Sequence, residues 1–346
     1  MKQVRKAARA LLKTEAPLIA ESFLGGRSVG MVTAVKYANH LTWMEGWLNE
    51  AGILIDGTSP RHTDQILARY MDFLFFEGEE YTKGQYTLAA TVHRWPSLGE
   101  AGKKSLPLAR QALKGWKKLC PGKTRLPLPW LLAASMAALM VQWGHFSMGL
   151  LTVITFHTYM RPGVAIQILW KQVIPPVPAG EGFLSLWTLV LHMSELGQPS
   201  KTGGWDETLH MADVPRWAWL AAPLSLAWVT WRRSGLPAEI PLADFTMAQW
   251  TNICRLALEH LQVPPRVASE FVLYMFRHGG AADDLASQSR PLMEIKKRGA
   301  WRTDSSVARY SKSARLNQQV MALSRRCRER AGELLLLLPS LLSRKC

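Results

Sequence analysis

Residues 296–310 read Lys-Lys-Arg-Gly-Ala-Trp-Arg-Thr-Asp-Ser-Ser-Val-Ala-Arg-Tyr, and the interpretation of the whole chain turns on this stretch. Five basic side chains flank one acid, Asp304, and Tyr310 follows Trp301 by nine residues. Gly299 interrupts the helical pattern before it, and Tyr310 sits four residues after Ser306 on an expected helix. Taken singly, Trp301 and Tyr310 read as packing residues; Trp301 is one of 15 tryptophans. Upstream, Tyr274-Met275-Phe276-Arg277-His278 places Arg277 33 residues before Tyr310. Tyr159-Met160-Arg161-Pro162-Gly163 closes an apolar helix, and Lys201 stands beside Gly203-Gly204 in a turn. Each again has a plain structural reading on its own: Arg161 and His278 as helix caps, Lys201 as a turn lysine.

With 346 residues, 48% hydrophobic and 20% charged, the chain has the length for about two domains and the composition of a folded protein rather than a disordered one. Its net charge of +16 is unevenly placed. Residues 1–14, 101–125 and 296–330 carry net charges of +5, +8 and +9, so the remainder is net acidic. Three basic segments on an otherwise acidic chain point to a polyanion, nucleic acid before anionic membrane. The central run supplies Lys103, Lys104, Arg110, Lys114, Lys117, Lys118, Lys123 and Arg125 as candidate DNA contacts, with a solvated face as the plain alternative.

Cys120, Cys254, Cys327 and Cys346 are widely spaced and form no metal-ligand motif, which reads as a reduced compartment and no metal. The basic N-terminus lacks the apolar core of a secretory signal. Leu126–Met160 contains no Lys, Arg, Asp or Glu and is long enough to cross a bilayer. Pro127, Pro129, Gln142, His145 and His157 interrupt it and Gly144 splits it, so it reads as two buried helices and no membrane contact is expected.

Apolar residues at three- and four-residue spacing predict helices over 31–50, 62–77, 82–95 and 105–118, then over 129–142, 146–158, 163–169 and 215–232. Phe183–Leu191 alternates like a strand and returns through Glu207–Met211, with Pro199–Gly204 as the hairpin turn. From 246 onward the pattern is helical, with breaks expected at Pro264-Pro265, Gly279-Gly280, Gly299 and Pro339. Periodicity alone gives two mostly helical domains with one hairpin.

Over about residues 28–325 the sequence resembles the tyrosine recombinase (phage integrase) family, and its 296–310 stretch is similar to recombinase-like proteins of eukaryotic genomes and mobile elements. The resemblance rests on Tyr159–Gly163, Lys201, Tyr274–His278, Gly299-Ala300-Trp301 and Tyr310, in that order and spacing. It implies a mainly α fold with a small β-sheet, in which a helical, SAM-like core-binding domain precedes a catalytic domain. The boundaries expected are a basic extension over 1–27, the DNA-binding domain over 28–118, a basic linker over 119–125, the catalytic domain over 126–325 and a C-terminal tail over 326–346. That tail either docks into a neighbouring subunit or folds back on its own domain.

By the same resemblance, Tyr310 is the nucleophile that holds a DNA 3′ end as a phosphotyrosine, retaining bond energy so that no cofactor is needed. Arg161 and Arg277 would clamp the transition-state phosphate, Lys201 would protonate the leaving 5′ oxygen, and Trp301 would donate its indole N–H. His278 would support the site from behind. The expected partner is double-stranded DNA, with self-assembly on it as a dimer or tetramer, in the nucleus if the source is eukaryotic and otherwise in the cytoplasm. Two departures bear on activity. Tyr274 stands where the family usually has histidine, and Val164 where a carboxylate commonly follows the first arginine. A catalytically degenerate DNA-binding protein derived from a recombinase is therefore the alternative.

Overall fold

The 3.6-residue apolar spacing of the N-terminal third becomes four helices in a computed structural model, which describes residues 28–55, 59–99, 106–122, 126–177, 185–197, 200 and 204–344. They are α1 (Met31–Glu50), α2 (Pro60–Phe76), α3 (Tyr81–Arg94) and α4 (Pro107–Leu119). Their inward faces meet in one core that includes Met44, Leu48, Leu67, Tyr70, Leu74, Leu113 and Trp116. The buried carboxylate of Asp64 accepts from the backbone N–H groups of Leu108 and Ala109, each at 2.9 Å. It thereby satisfies two amides that the first turn of α4 leaves without helical partners and complements the positive end of that helix. With Leu113 and Trp116 turned inward, Lys114, Lys117 and Lys118 are left on the exposed face of α4.

The chain divides into two compact units at Thr124/Arg125. In the second, the uncharged run becomes α5 (Trp130–Gln142) and α6 (Phe146–Thr158), 13 residues each. Both are buried on nearly every side, which explains why they carry almost no hydrophobic asymmetry. No helix among the described residues is long and apolar enough to cross a membrane. α7 (Pro162–Ala165) follows, then a three-stranded antiparallel sheet of β1 (Val173–Ile174), β2 (Trp187–Leu191) and β3 (Glu207–Met211). Trp187 pairs with Met211 and Leu189 with Leu209, which puts four buried apolar side chains into the core. The remaining elements are α8 (Ala221–Ser234), α9 (Met247–His260), α10 (Pro265–Ser269), α11 (Tyr274–Ser287), α12 (Leu292–Arg298), α13 (Asp304–Ala308), α14 (Ser313–Met321) and α15 (Arg325–Ser343).

Several local expectations change. The expected hairpin is a three-stranded sheet, because two-residue β1 is too short for alternation to signal it, and β2 begins only at Trp187. The helix expected over 163–169 ends at Ala165; Ile168 instead accepts from the N–H of Leu242, and Leu169 bridges to Pro241. Pro215 opens a 3-10 segment to Leu220 before α8 begins. Gly279-Gly280 lies inside α11 and breaks nothing.

Pro339 lies inside α15, where Leu334, Leu338 and Leu342 are buried on either side of it. Burying three leucines at roughly 1.5–3 kcal/mol each outweighs the roughly 3 kcal/mol that an interior proline costs a helix. The segment read as a tail is this helix; it folds back against α5, and the hydroxyl of Ser135 donates to the carbonyl of Ala331 at 3.0 Å.

Candidate nucleophile and arginine cluster

The close approach of α11 to the end of α6 builds the site. A Cβ added to Gly280 would collide with the backbone carbonyl of Phe156 and stand 2.9 Å from the Tyr159 ring. At Gly279 it would collide with the carbonyl of Leu128. These two glycines let α11 lie directly on α6, one turn after Arg277 leaves the helix on the same side. Tyr159 ends α6 in the left-handed conformation, φ 53°, and turns the chain so that Arg161 opens α7.

Arg277 is 3% exposed. Its guanidinium donates from Nη1 to the carbonyl of Tyr159 and from Nη2 to that of Gly299, each at 2.6 Å. Its Nε–H is buried without a partner among the described residues. The plane sits 4.9 Å from the centroid of the Trp301 ring. That ring folds back over Gly299, where any Cβ would strike it. The ring of Tyr310 lies 4.3 Å from Trp301 and 4.7 Å from His278, and His278 lies 5.5 Å from Tyr274. Tyr310 is 8% exposed. It occupies a turn just past α13 rather than the helix expected, because α13 ends at Ala308 and Lys312 N–H donates to the Tyr310 carbonyl. The turn is held below by buried Val307 and at its start by the Thr303 hydroxyl, which accepts from Ser306 N–H.

Arg277, His278, Tyr274, Trp301 and Tyr310 are thus brought into one cluster. Arg161 joins it through the backbone, two residues from the carbonyl that holds Arg277. Its half-buried side chain makes no hydrogen bond or ion pair among the described residues, consistent with Val164 replacing an acid. Lys297, Arg302, Arg309 and Arg315 are exposed nearby in sequence, and burial together with the Arg315 charge pushes the Lys312 ammonium below its ordinary value. Lys201, Lys103, Lys104, Lys123 and Arg125 lie outside the described residues. Arg110 is half-buried on α4. No group of three or more His, Cys, Asp or Glu placed to hold a metal occurs among the described residues.

Beneath the cluster lies a buried ionic network absent from the sequence-level site. Tyr159 donates its hydroxyl to Asp284, and Arg290 donates from Nη1 to the same carboxylate. Arg290 also forks onto Asp213, Nε to Oδ2 at 2.9 Å and Nη2 to Oδ1 at 2.6 Å. Arg298 reaches Asp213 Oδ2 at 2.5 Å and the carbonyls of His210 and His157. Arg290 Nη2 faces His157 Nδ1 at 3.2 Å, and arginine can only donate, so the His157 proton resides on Nε2, 3.3 Å from Asp213. Complete burial pushes His157 down to about 3 and keeps it neutral. Burial would raise Asp213, but the hydrogen bonds from Arg290, the His157 ring 3.3 Å away and the charge of Arg298 hold it well below the usual carboxylate range. Burial and the Asp284 charge push the Tyr159 hydroxyl up. Two acids thus face two arginines, the arrangement in which buried charges persist. The residues reveal no such pairing in one sequence, since Asp213, Asp284 and Arg290 are spread over three segments; the doublet Asp283-Asp284 on an apolar helix was the available signal.

Mainly helical with a small three-stranded antiparallel sheet, the chain has a tyrosine recombinase-like fold. The chain is similar to the XerH site-specific recombinase bound to palindromic difH substrate in a post-cleavage complex, with a TM-score of 0.54 and 14% identity over 86% of this chain and 80% of that one. It is also similar to XerH bound to difH in a pre-cleavage complex, with a TM-score of 0.51 and 13% identity over 84% and 80%. No protein-family model and no curated protein matches the chain.

Proposed function

We propose that this protein cuts and rejoins DNA strands through a covalent 3′-phosphotyrosine on Tyr310, as a site-specific recombinase or integrase. The observation that carries the reading is the packing of Tyr310 on Trp301 and His278, with the Arg277 guanidinium 4.9 Å from the centroid of the same Trp301 ring. In the cleavage step the Tyr310 hydroxyl oxygen attacks phosphorus and gives its proton to solvent, the bond from phosphorus to the 5′ oxygen breaks, and that oxygen takes a proton from Lys201, which regains one from solvent. Arg161 and Arg277 would clamp the phosphorane oxygens. Trp301 would contribute its indole N–H and His278 would brace Tyr310, with Tyr274 beside it. Rejoining is the reverse attack by a 5′ hydroxyl, so neither metal nor nucleotide is consumed.

Residues 28–118 would grip the duplex with the exposed lysines of α4, subunits would assemble on DNA as dimers or tetramers, and the protein would work in the compartment that holds its DNA. One observation favours the second reading, a catalytically degenerate DNA-binding protein. Arg277 commits one N–H of each terminal nitrogen to its own backbone. Nicked suicide duplexes separate the two. Covalent protein–DNA adducts on denaturing gels support cleavage, and specific binding with no adduct on any duplex the protein binds supports the second reading.

A further inference from the structure

We infer that Arg290 is a positioning residue: by tying Asp284 to Asp213 it sets the two backbone carbonyls that aim the Arg277 guanidinium. Arg277 is held by the carbonyls of Tyr159 and Gly299, and each carbonyl belongs to a separate arm of the buried network. On one arm, Tyr159 is anchored by its hydroxyl to Asp284. On the other, Arg298, the residue before Gly299, is anchored to Asp213 at 2.5 Å. Arg290 alone among the described residues bonds both carboxylates, Asp284 from Nη1 and Asp213 from Nε and Nη2. Its side chain is 1% exposed, so water does not substitute for it.

The geometry has a further consequence for Arg161. Tyr159 turns the chain with φ 53°, and Arg161 follows two residues later with no side-chain partner of its own among the described residues. The direction in which Arg161 leaves the turn is therefore inherited from the Tyr159 anchor. The carboxylate that Val164 does not supply beside the first arginine is replaced by control from below, with Asp284 acting through Tyr159.

A planar fork is required here. Lysine keeps the charge at 290 but is a single donor centre that cannot hold both carboxylates in fixed directions. Arg290→Lys therefore preserves charge balance while freeing the two arms to drift. Misplacement of a catalytic group by about 1 Å costs up to about a hundredfold in rate.

The kinetic test rests on the phosphotyrosine reading. Single-turnover adduct formation on a suicide duplex, run well below the melting temperature, is compared for wild type, Arg290→Lys, Arg277→Lys and the double variant. The expected result for Arg290→Lys is a loss of about tenfold or more in rate with DNA affinity within about twofold of wild type, and no further loss when Arg277 is already lysine. An unchanged rate in folded Arg290→Lys, or losses that multiply in the double variant, overturns the inference. A second measurement is independent of chemistry. The Arg277 Nε–H resonance, assigned by its disappearance in Arg277→Lys, should shift in nitrogen-15 spectra of full-length Arg290→Lys. If that resonance does not move in the folded variant, the inference fails even where the wild type cleaves DNA. If it moves while the wild type cleaves no duplex, the positioning stands and the phosphotyrosine reading fails.

Discussion

Gly280→Ala and Gly332→Ala place the same methyl group on two helices and should have opposite effects. Within a helix the change from glycine to alanine is worth about 0.8–1 kcal/mol in propensity. At Gly332, inside α15, a Cβ meets nothing within 4 Å, so most of that gain should appear as stability. At Gly280 the Cβ would overlap the Phe156 carbonyl and stand 2.9 Å from the Tyr159 ring. Backbone cannot step aside as a flexible side chain can, so α11 must lift from α6. Overpacking of this kind costs about 1–3 kcal/mol. Lifting α11 also strains the hydrogen bond from Arg277 to Tyr159, a charge-assisted bond in the class worth about 1.5–3 kcal/mol. Set against the propensity gain, the net loss is about 1.5–5 kcal/mol. At about 2–4 °C per kcal/mol for a unit of this size, calorimetry should show the Arg125–Cys346 unit melting roughly 3–20 °C lower in Gly280→Ala and a few degrees higher in Gly332→Ala. A Gly280→Ala variant as stable as wild type would refute the close approach that delivers Arg277 to its carbonyls.

Replacing Lys114, Lys117 and Lys118 with alanine should weaken binding to all duplexes alike and flatten the plot of log K against log salt by about 0.9 per lost phosphate contact; an unchanged slope means the α4 face meets solvent only. Lys201→Ala should slow cleavage by about 10² or more, and a 5′-bridging sulfur at the scissile phosphate should restore it, since that leaving group needs no proton. Failure of rescue assigns Lys201 to another task. His157 is held neutral with its value at about 3, below the ordinary 6.5, so its contribution to stability is complete above about pH 6.5 and declines as pH falls toward 3. Melting temperature should drop across that window in wild type and drop less steeply in His157→Gln; parallel slopes would contradict the buried neutral assignment.

The local helices were legible because their signals are local. The apolar spacing of 31–50 and the uncharged run of 126–160 each record which side of a helix meets the core, and Leu189 and Leu209 record a shared face of the sheet. The clustering of Arg277, Trp301 and Tyr310 was legible because motif order and spacing pointed to all three. Gly279-Gly280 misled because glycine signals both a chain break and a close approach, and only the position of the Phe156 carbonyl decides between them. Pro339 misled because the leucine burial that outweighs it comes from α5, about 200 residues earlier. The network under Arg277 was invisible for the same reason: Asp213, Asp284 and Arg290 acquire meaning only when α6, β3, α11 and α12 have converged.

Cleavage by this protein would turn on one oxygen atom, the Tyr310 hydroxyl. Wild-type protein is incubated with a nicked suicide duplex that it binds, digested, and the DNA-linked peptide is located by mass spectrometry. The expected product is a phosphodiester on Tyr310, formed by the wild type and lost in Tyr310→Phe, whose DNA affinity should stay nearly unchanged because one hydroxyl is removed. An adduct on another residue, or one formed at full yield by Tyr310→Phe, would contradict it.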